Sequence, residues 1–311
     1  MDGTIAEPRP LLALLVRLGA VAALSTMSAL IKYAERQGVH FVEILFWRQF
    51  ACIPILVGWA LLTGRGLRAF ATTRPKAHVV RGLYGLFAMV LNFGAVILLP
   101  LAEATTMNFT APIWAVILSV LLLKDRPGIW RWSSVIVGFV GVLLISRPGS
   151  GTIPLFGAAV ALAGAFMVAL ISIQVADLNR TDKPLTIVFW FAAVSTPLCA
   201  LALPFAAERH DGFEWLLLAA LGVLGTVGQL LLTAALRFGK VSSVIVMDYS
   251  ALFWATLYGA LMFDAFPSAN TWIGTPLIVG AGLIITWREH SLARRARALA
   301  LAEPSVAGGT G

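Results

Sequence analysis

Two ionisable side chains stand out because they lie deep inside long apolar segments. Arg48 falls within FVEILFWRQFACIPILVGWALL (41–62), and Asp248 falls within VSSVIVMDYSALFWATLYGALMF (241–263). If these segments cross a membrane, ionisable groups there are energetically unfavourable and mark a functional site by default. Asp248 could take up a proton or bind the ammonium group of a solute, and a carboxylate near the membrane surface is its structural alternative. We assign Arg48 to structure, with its head snorkelling toward the membrane surface, and keep a contact with a solute carboxylate as the alternative.

Uncharged polar and aromatic side chains in similar segments could line a wet cavity. Pro112 removes a backbone hydrogen bond four residues after Asn108, so a helix break and an amide would share one face. Such breaks are tolerated in a membrane where neighbouring groups or water satisfy the freed carbonyl. Each candidate also has ordinary packing as its alternative. Together with Asp248, the cavity candidates are Ser25, Ser28, Tyr84, Asn92, Asn108, Pro112, Gln174, Gln229, Tyr249 and Trp254.

The residue types expected of an enzyme are not grouped in this sequence. The four histidines lie far apart, at loops or segment ends, and Cys52 and Cys199 fall inside apolar segments. Intramembrane catalysis usually needs paired carboxylates, a metal cluster or a nucleophile with its base. The segment FGKVSS (Phe238–Ser243) lacks the glycine spacing of a phosphate-binding loop. We therefore expect no catalytic residues, no metal, no cofactor and no ATPase subunit, and keep a membrane-embedded enzyme as a second hypothesis.

The elements that must position these residues are predicted to be membrane-spanning helices. Apolar residues make up 59% of the chain and charged residues 12%, about half the charged share of a soluble domain. Apolar runs of roughly 17–25 residues are long enough to cross a bilayer as helices. The sequence thus predicts an all-α integral membrane protein with ten spans, at 11–32, 41–62, 79–99, 103–123, 129–146, 153–176, 184–206, 213–236, 241–263 and 271–287.

The positive charges predict how these spans are oriented. When successive loops are assigned to alternate sides, one side collects most of the basic residues, Arg17 and Arg81 among them. The other side holds only Lys32, Arg36, Arg147 and Arg209, and Lys32 is expected to snorkel to that surface. Basic loops face the cytoplasm, so both termini are predicted to be cytoplasmic. The protein is predicted to lie in a bacterial-type cytoplasmic (inner) membrane. The net charge of +8 then reflects orientation, and no nucleic-acid partner is expected.

The sequence also repeats itself, with its second half echoing its first. MSALI (27–31) returns as MVALI (167–171), and Gly82 and Gly85 return as Gly222 and Gly225. The block from Phe46 to Pro54 returns as Phe189 to Pro197, slightly out of phase with the other matches. Five spans per unit is an odd number, so the second unit must be inverted relative to the first. The predicted organisation is a cytoplasmic N-terminus (1–10), a first five-helix repeat (11–149), an inverted second repeat (150–287) and a basic cytoplasmic tail (288–311).

Three stretches of this sequence resemble the EamA family of the drug/metabolite transporter superfamily. They are FWRQF (Phe46–Phe50), LPLAEATTMNFTAPIWAVILSVLLLKDRP (Leu99–Pro127) and GFVGVLLISRPG (Gly138–Gly149). The resemblance implies a 5+5 inverted repeat around a central cavity lined mostly by helices 1, 3, 4, 6, 8 and 9. The members of this family include exporters of amino acids and related metabolites, of which the YddG-type exporters are one group, and the chain resembles them. The chain departs from the family pattern at Asp125 and Asp264, where Glu is common, and at Leu252, which stands opposite Pro112.

The resemblance implies a secondary transporter that exports small metabolites, amino acids foremost, by alternating access. Asp248 is the candidate for proton coupling. Export or exchange of a nucleoside, S-adenosylmethionine or a drug-like cation remains the alternative. The expected partners are a small-molecule substrate and the lipid bilayer, with the protein as a monomer or a homodimer.

Overall fold

The computed structural model describes residues 10–123, 129–146, 153–238 and 246–302, and within these ranges the chain is helical with no strand. The all-α prediction is therefore confirmed for the described residues. Short 3-10 helices occur at Leu67–Phe70, Leu203–Phe205 and Val246–Ser250. The α-helices are α1 (Pro10–Arg36), α2 (Phe41–Leu62), α3 (Pro75–Leu98), α4 (Leu101–Asn108), α5 (Ala111–Leu123), α6 (Ile129–Ser146), α7 (Leu155–Leu178), α8 (Pro184–Ala202), α9 (Gly212–Phe238), α10 (Ala251–Phe263) and α11 (Ala269–Ala302).

Seven helices in the described ranges are long and apolar enough to cross a membrane, which makes this a multi-pass membrane protein. They correspond to predicted spans 1, 2, 3, 6, 7, 8 and 10. The fifth prediction falls on α6, whose apolar part, Trp132–Ser146, is shorter. The fourth prediction falls on a helix that is divided in two, and the described part of the ninth is a 3-10 helix followed by an α-helix. A total of ten spans therefore stays a prediction.

Two segment boundaries differ from the predictions. Span four, predicted as one helix over 103–123, is divided into α4 and α5 by Phe109 and Thr110. Span ten does not end at 287, because α11 continues through the basic segment to Ala302. The N-terminal segment 1–9, Asp125 and the first residues of span nine, 241–245, lie outside the described ranges.

Glycines allow the helices to approach one another closely. A Cβ added to Gly82 in α3 would lie 2.6 Å from Val194 in α8, and one added to Gly222 in α9 would collide with Ala51 in α2. At the crossing of α6 and α11, a Cβ on Gly141 would lie 2.8 Å from the carbonyl oxygen of Gly274. Small residues permit this kind of contact between membrane helices. The backbones of α6 and α11 are thus in direct contact, and at the other two crossings a side chain packs directly onto the glycine.

Two buried charges tie helix ends together at the predicted outer end of the bundle. Lys32 Nζ donates to the carbonyl oxygens of Val96 (2.9 Å), Ile97 (3.2 Å) and Leu99 (2.5 Å), where α3 ends. The expectation that Lys32 snorkels outward is therefore wrong, because the last carbonyls of a helix lack partners within it and attract the ammonium group. Glu103 Oε1 accepts from the Thr271 hydroxyl at 2.9 Å, at the start of α11.

Candidate functional site

The first feature of the site is the break between α4 and α5. Pro112 has no N–H to donate to the carbonyl of Asn108, which lies four residues earlier. Thr110 closes a turn at the break, because its backbone N–H and its hydroxyl both donate to the carbonyl of Met107, at 3.1 and 2.7 Å. The break at Pro112 predicted from the sequence is thus present, and it ends α4 at Asn108.

At the equivalent position of the second repeat, where no proline is present, the described residues change from one helix type to another, and we call this change the second break. The chain forms a 3-10 helix at Val246–Ser250 before α10 begins at Ala251. The Ser250 hydroxyl donates to the carbonyl of Met247 at 2.6 Å, the same bond that Thr110 makes to Met107. Short hydroxyl side chains compete with the helix for backbone partners in this way. Thr110 and Ser250 occupy equivalent positions of the repeat, and each has a hydroxyl. This pair of hydroxyls is a sequence signal of the second break, which comparing Pro112 with Leu252 does not reveal.

The two breaks meet in space. The rings of Phe109 and Tyr249, which are repeat mates, stand edge to face with their centroids 5.0 Å apart. The Tyr249 hydroxyl lies against Gly282 in α11 and has no hydrogen-bond partner within the described part of the chain. Pro112 Cγ lies 3.7 Å from the position a Cβ on Gly282 would take. The structure thus brings Pro112 and Tyr249 together, and Asn108, next to Phe109, carries a buried Oδ1 without a partner.

Asp248, the predicted intramembrane carboxylate, is paired with Arg17 of α1. The guanidinium donates twice, from Nε to Oδ1 at 2.6 Å and from Nη2 to Oδ2 at 2.5 Å. Its Nη1 also donates to the carbonyl of Leu232 in α9 at 3.2 Å. The Arg17 side chain is 9% exposed, whereas that of Asp248 is 34% exposed. The sequence grouped Arg17 with the basic residues of the cytoplasmic side. In the structure its side chain is instead buried and paired with Asp248.

The remaining cavity candidates are spread over the molecule. Ser25 is half-buried, and the Ser28 hydroxyl donates to the carbonyl of Leu24 in its own helix at 3.0 Å. Tyr84 is 42% exposed on the outer surface of α3. Asn92 Nδ2 bonds the carbonyl of Ala88 at 2.8 Å and reaches that of Gly164 in α7 at 3.5 Å, so it joins two helices.

Two further candidates occupy other parts of the interior. Trp254 stacks on Tyr258 with ring centroids 6.0 Å apart, and the Tyr258 hydroxyl bonds that of Thr26 at 2.7 Å. Gln174 in α7 has a buried Oε1 without a hydrogen-bond partner. None of the contacts described for these residues joins them to the two helix breaks.

A second polar cluster lies between α2, α3, α8 and α9, around two buried arginines. Arg48 is 8% exposed, and Arg81 in α3 is 7% exposed. Arg48 Nη1 donates to Gln49 Oε1 and contacts Met89 Sδ at 2.9 Å. Its guanidinium carbon lies 5.4 Å from the ring centre of Phe93, so Arg48 points into the bundle and does not snorkel to the surface.

Arg81 packs against one aromatic ring of α8. Its guanidinium carbon lies 4.8 Å from the ring centre of Phe191 in α8, and its Nη1 packs over Gly85. The sequence reasoning grouped Arg81 with the cytoplasmic charges. The signal that could have identified it was its position, since Arg81 is the third residue of the predicted span 79–99.

A small cavity lies beside Arg48. Its volume is about 10 Å³, which is the space of roughly one water molecule. Of the predicted cavity residues it includes Gln229. It lies between α2, α8 and α9, which are predicted spans 2, 7 and 8, whereas the resemblance implied a cavity lined by spans 1, 3, 4, 6, 8 and 9. Its lining residues are Arg48, Gln49, Cys52, Val188, Phe191, Gly225, Thr226 and Gln229.

Known proteins resemble the chain over most of its length. Residues 11–147 and 155–287 match the model of the EamA-like transporter family. A riboflavin transporter of Vibrio cholerae is 27% identical over 94% of this chain and 98% of that protein. A pseudopaline exporter of Pseudomonas aeruginosa is 31% identical, covering 84% of this chain and 91% of that protein.

Two further likenesses concern substrate and fold. An S-adenosylmethionine uptake transporter of Rickettsia felis is 28% identical over 83% of this chain and 86% of that protein. One solved crystal structure shares the fold with a TM-score of 0.61 at 23% identity, over 88% of this chain and 97% of that one.

Proposed function

Because the chain belongs to the EamA-like transporter family, we propose that it is a secondary transporter that moves small metabolites across the cytoplasmic membrane by alternating access. In this proposal its ten spans form two inverted five-helix units, with both termini in the cytoplasm. Spans four and nine are the interrupted helices α4–α5 and 246–263. Transporters built from inverted repeats bind their substrates near the membrane midplane, at helices broken in this way.

Matched contacts between the two halves support the inverted repeat. Gly82 of the first unit packs on Val194 of the second, and Gly222 of the second packs on Ala51 of the first. Gly82 and Gly222 are equivalent positions of the repeat, and Ala51 and Val194 are equivalent positions within its shifted block. Each unit therefore offers the same glycine to the same position of the other unit. Such reciprocity is what a two-fold relation between the halves would produce.

The observation that carries the proposal is the meeting of the two breaks. Phe109 and Tyr249 are repeat mates and contact each other, so the broken parts of spans four and nine lie at the axis that would relate the halves. In this proposal the substrate bonds backbone groups beside Asn108 and Asp248, which an uninterrupted helix would bond internally.

The ion pair between Arg17 and Asp248 is proposed to hold the cytoplasmic side of this site closed. It joins α1 of the first unit to the broken ninth span of the second. Asp248 is the more exposed partner, so water, a proton or a substrate ammonium group can reach it first. Neutralising Asp248 would release Arg17 and allow the two units to separate, which is how Asp248 would couple transport to protons.

The substrate is proposed to be a small metabolite, with amino acids as the leading class and export as the direction. The relatives are named for riboflavin, pseudopaline and S-adenosylmethionine, and for both uptake and export. Those names support a transporter and leave the substrate open. A nucleoside, S-adenosylmethionine or a drug-like cation is the alternative class.

Counterflow into proteoliposomes tests the proposal with the purified protein alone. The vesicles are loaded with one unlabelled compound at a time, drawn from amino acids, nucleosides, riboflavin and S-adenosylmethionine, and uptake of the same labelled compound is measured. We expect accumulation of at least one compound above that of protein-free vesicles. Absence of accumulation across the panel, from protein that remains monodisperse after extraction, would refute transport of these classes.

A further inference from the structure

We propose that Arg48 and Arg81 form an anion-binding subsite that takes the carboxylate of an organic substrate. This inference rests on the proposed transport function and names the chemical class of the substrate. It differs from the site at the two helix breaks, because the arginines lie between α2, α3, α8 and α9.

Both arginines carry charge that the described residues do not compensate. Three guanidinium nitrogens, Arg48 Nε and Arg81 Nε and Nη1, are buried and have no hydrogen-bond partner among the residues that the structure describes. A guanidinium cannot shed its proton to avoid this situation, as a buried lysine or histidine can. Buried charges are normally paired, because an unpaired one loses several kcal/mol of hydration. Two unpaired guanidiniums in one interior therefore indicate a place prepared for a negative group.

No carboxylate among the described residues bonds to either arginine. Three buried or partly buried carboxylates of the described residues have other partners: Glu43 bonds His210, Asp182 pairs with His78 and Asp248 bonds Arg17. Around Arg48 the polar groups are neutral, with Gln49 bonded both to the guanidinium and to the Ser195 hydroxyl. Phe191 lies against Arg81 and also lines the cavity beside Arg48, so the two arginines share a neighbour. An anion bound there would be attracted by both.

The shape and lining of the subsite favour an organic carboxylate over an inorganic ion. The donors of a guanidinium match the two oxygens of a carboxylate. Phe93 and Phe191 each lie against one arginine, and Val188 and Cys52 add apolar surface. These surfaces suit the carbon skeleton of a solute, whereas a phosphate or sulfate ion would leave them unused.

The subsite is closed in this structure and lies at matched positions of the two units. The side chain of Arg48 packs against Gly225, and that of Arg81 packs over Gly85, and these glycines are repeat mates. With about 10 Å³ free beside Arg48, a carboxylate enters only when the helices around it move apart. Alternating access supplies that movement.

Ligand-induced stabilisation of the purified protein tests the subsite. Thermal unfolding of wild type, Arg48→Gln and Arg81→Gln is measured against glutarate, citrate and benzoate, with glutaramide and benzamide as uncharged counterparts. We expect at least one carboxylate to stabilise wild type, its amide to fail, and each variant to bind the carboxylate about tenfold more weakly or worse. Arg65→Gln is the matched control, because Arg65 is exposed and lies over the Trp59 ring.

The unfolding temperatures of the variants without ligand show whether a loss of binding comes from a loss of folding. Removing a buried charge that has no carboxylate partner is expected to leave the unfolding temperature unchanged or raised, whereas removing one member of a buried ion pair would lower it. The subsite is overturned if no carboxylate stabilises wild type, if either variant retains the stabilisation, or if inorganic phosphate stabilises wild type as strongly as the carboxylates.

Failure of the subsite and failure of the transport proposal give different results. If wild-type vesicles accumulate uncharged or cationic compounds while carboxylates bind all variants alike, the subsite fails and transport stands. If carboxylate binding is lost in both variants but wild-type vesicles accumulate nothing, the subsite stands and transport fails.

Discussion

Replacing Asp248 with asparagine is expected to destabilise the protein, because it leaves the charge of Arg17 inside the bundle without a counter-ion. Removing one partner of a fully buried pair destabilises a protein by about 3–5 kcal/mol, whereas an exposed pair is worth about 0–1 kcal/mol. Arg17 is 9% exposed and Asp248 is 34% exposed, so this pair lies between the two limits. We expect Asp248→Asn to lower the free energy of unfolding by about 2 kcal/mol.

A double-mutant cycle measures the interaction. Unfolding in mixed micelles at neutral pH is compared for wild type, Asp248→Asn, Arg17→Gln and the double variant. The pair of Arg74 and Asp177 is the control, since it has the same Nη2–Oδ2 distance of 2.5 Å but side chains that are 35% and 53% exposed. Asp177→Asn is expected to change stability by under about 0.5 kcal/mol.

Two results would refute this reasoning. A coupling energy between Arg17 and Asp248 below about 0.5 kcal/mol would mean that the pair contributes no more than independent residues do. Equal losses for Asp248→Asn and Asp177→Asn would mean that burial does not strengthen the interaction. In transport assays the same substitution tests proton coupling, because unchanged counterflow and an unchanged pH profile would make Asp248 structural.

Three further outcomes are expected. Burial lowers the pKa of the His210 ring, but its hydrogen bonds to two glutamates outweigh this effect, so the pKa lies above its ordinary value. The stabilisation is then greatest below about pH 6.5 and declines as the pH rises through the folded-state pKa. Thermal unfolding measured from about pH 5.5 to 8.5 should show this decline for wild type and not for His210→Gln. Gly222→Ala should lower the free energy of unfolding by about 1–3 kcal/mol through overpacking. Gly58→Ala should raise it by about 0.5–1 kcal/mol, because a Cβ there meets nothing within 4 Å. Similar effects at both positions would contradict the close packing at Gly222. In intact cells a membrane-impermeant maleimide should label Glu208→Cys and spare Arg65→Cys until the membrane is opened, both positions being exposed and the native cysteines buried; the reverse pattern would invert the topology.

The helix breaks show how far local sequence information reaches. The sequence predicted the break at Pro112, because proline cannot donate to the preceding turn. It did not predict the break at Ser250, since Leu252 offers no such obstacle and a hydroxyl opens a helix only when its surroundings allow. The contact between Phe109 and Tyr249 depends on the packing of both breaks, so no local pattern specifies it.

The sequence does not specify which face of a membrane helix points into the bundle. Arg81 and Tyr84 lie three residues apart in α3, and the sequence favoured Tyr84 for the cavity. In the structure Arg81 is 7% exposed, while Tyr84 is 42% exposed. A membrane helix is apolar on the face toward lipid and on the face toward its neighbours, so hydrophobic periodicity does not indicate its rotation as it does for a soluble helix.

The sequence by itself determined the class of protein, the positions of most helices, the internal repeat and the family. These follow from composition, from the length of apolar helix that a bilayer requires and from residues close together along the chain. Only the tertiary structure decided the partners of the buried charges. Arg17 and Asp248 are separated by 231 positions, and Arg48 and Arg81 share an interior because α2, α3, α8 and α9 pack together. The physical reason is that a charge in an apolar bundle is compensated, or left uncompensated, by whichever helices pack beside it.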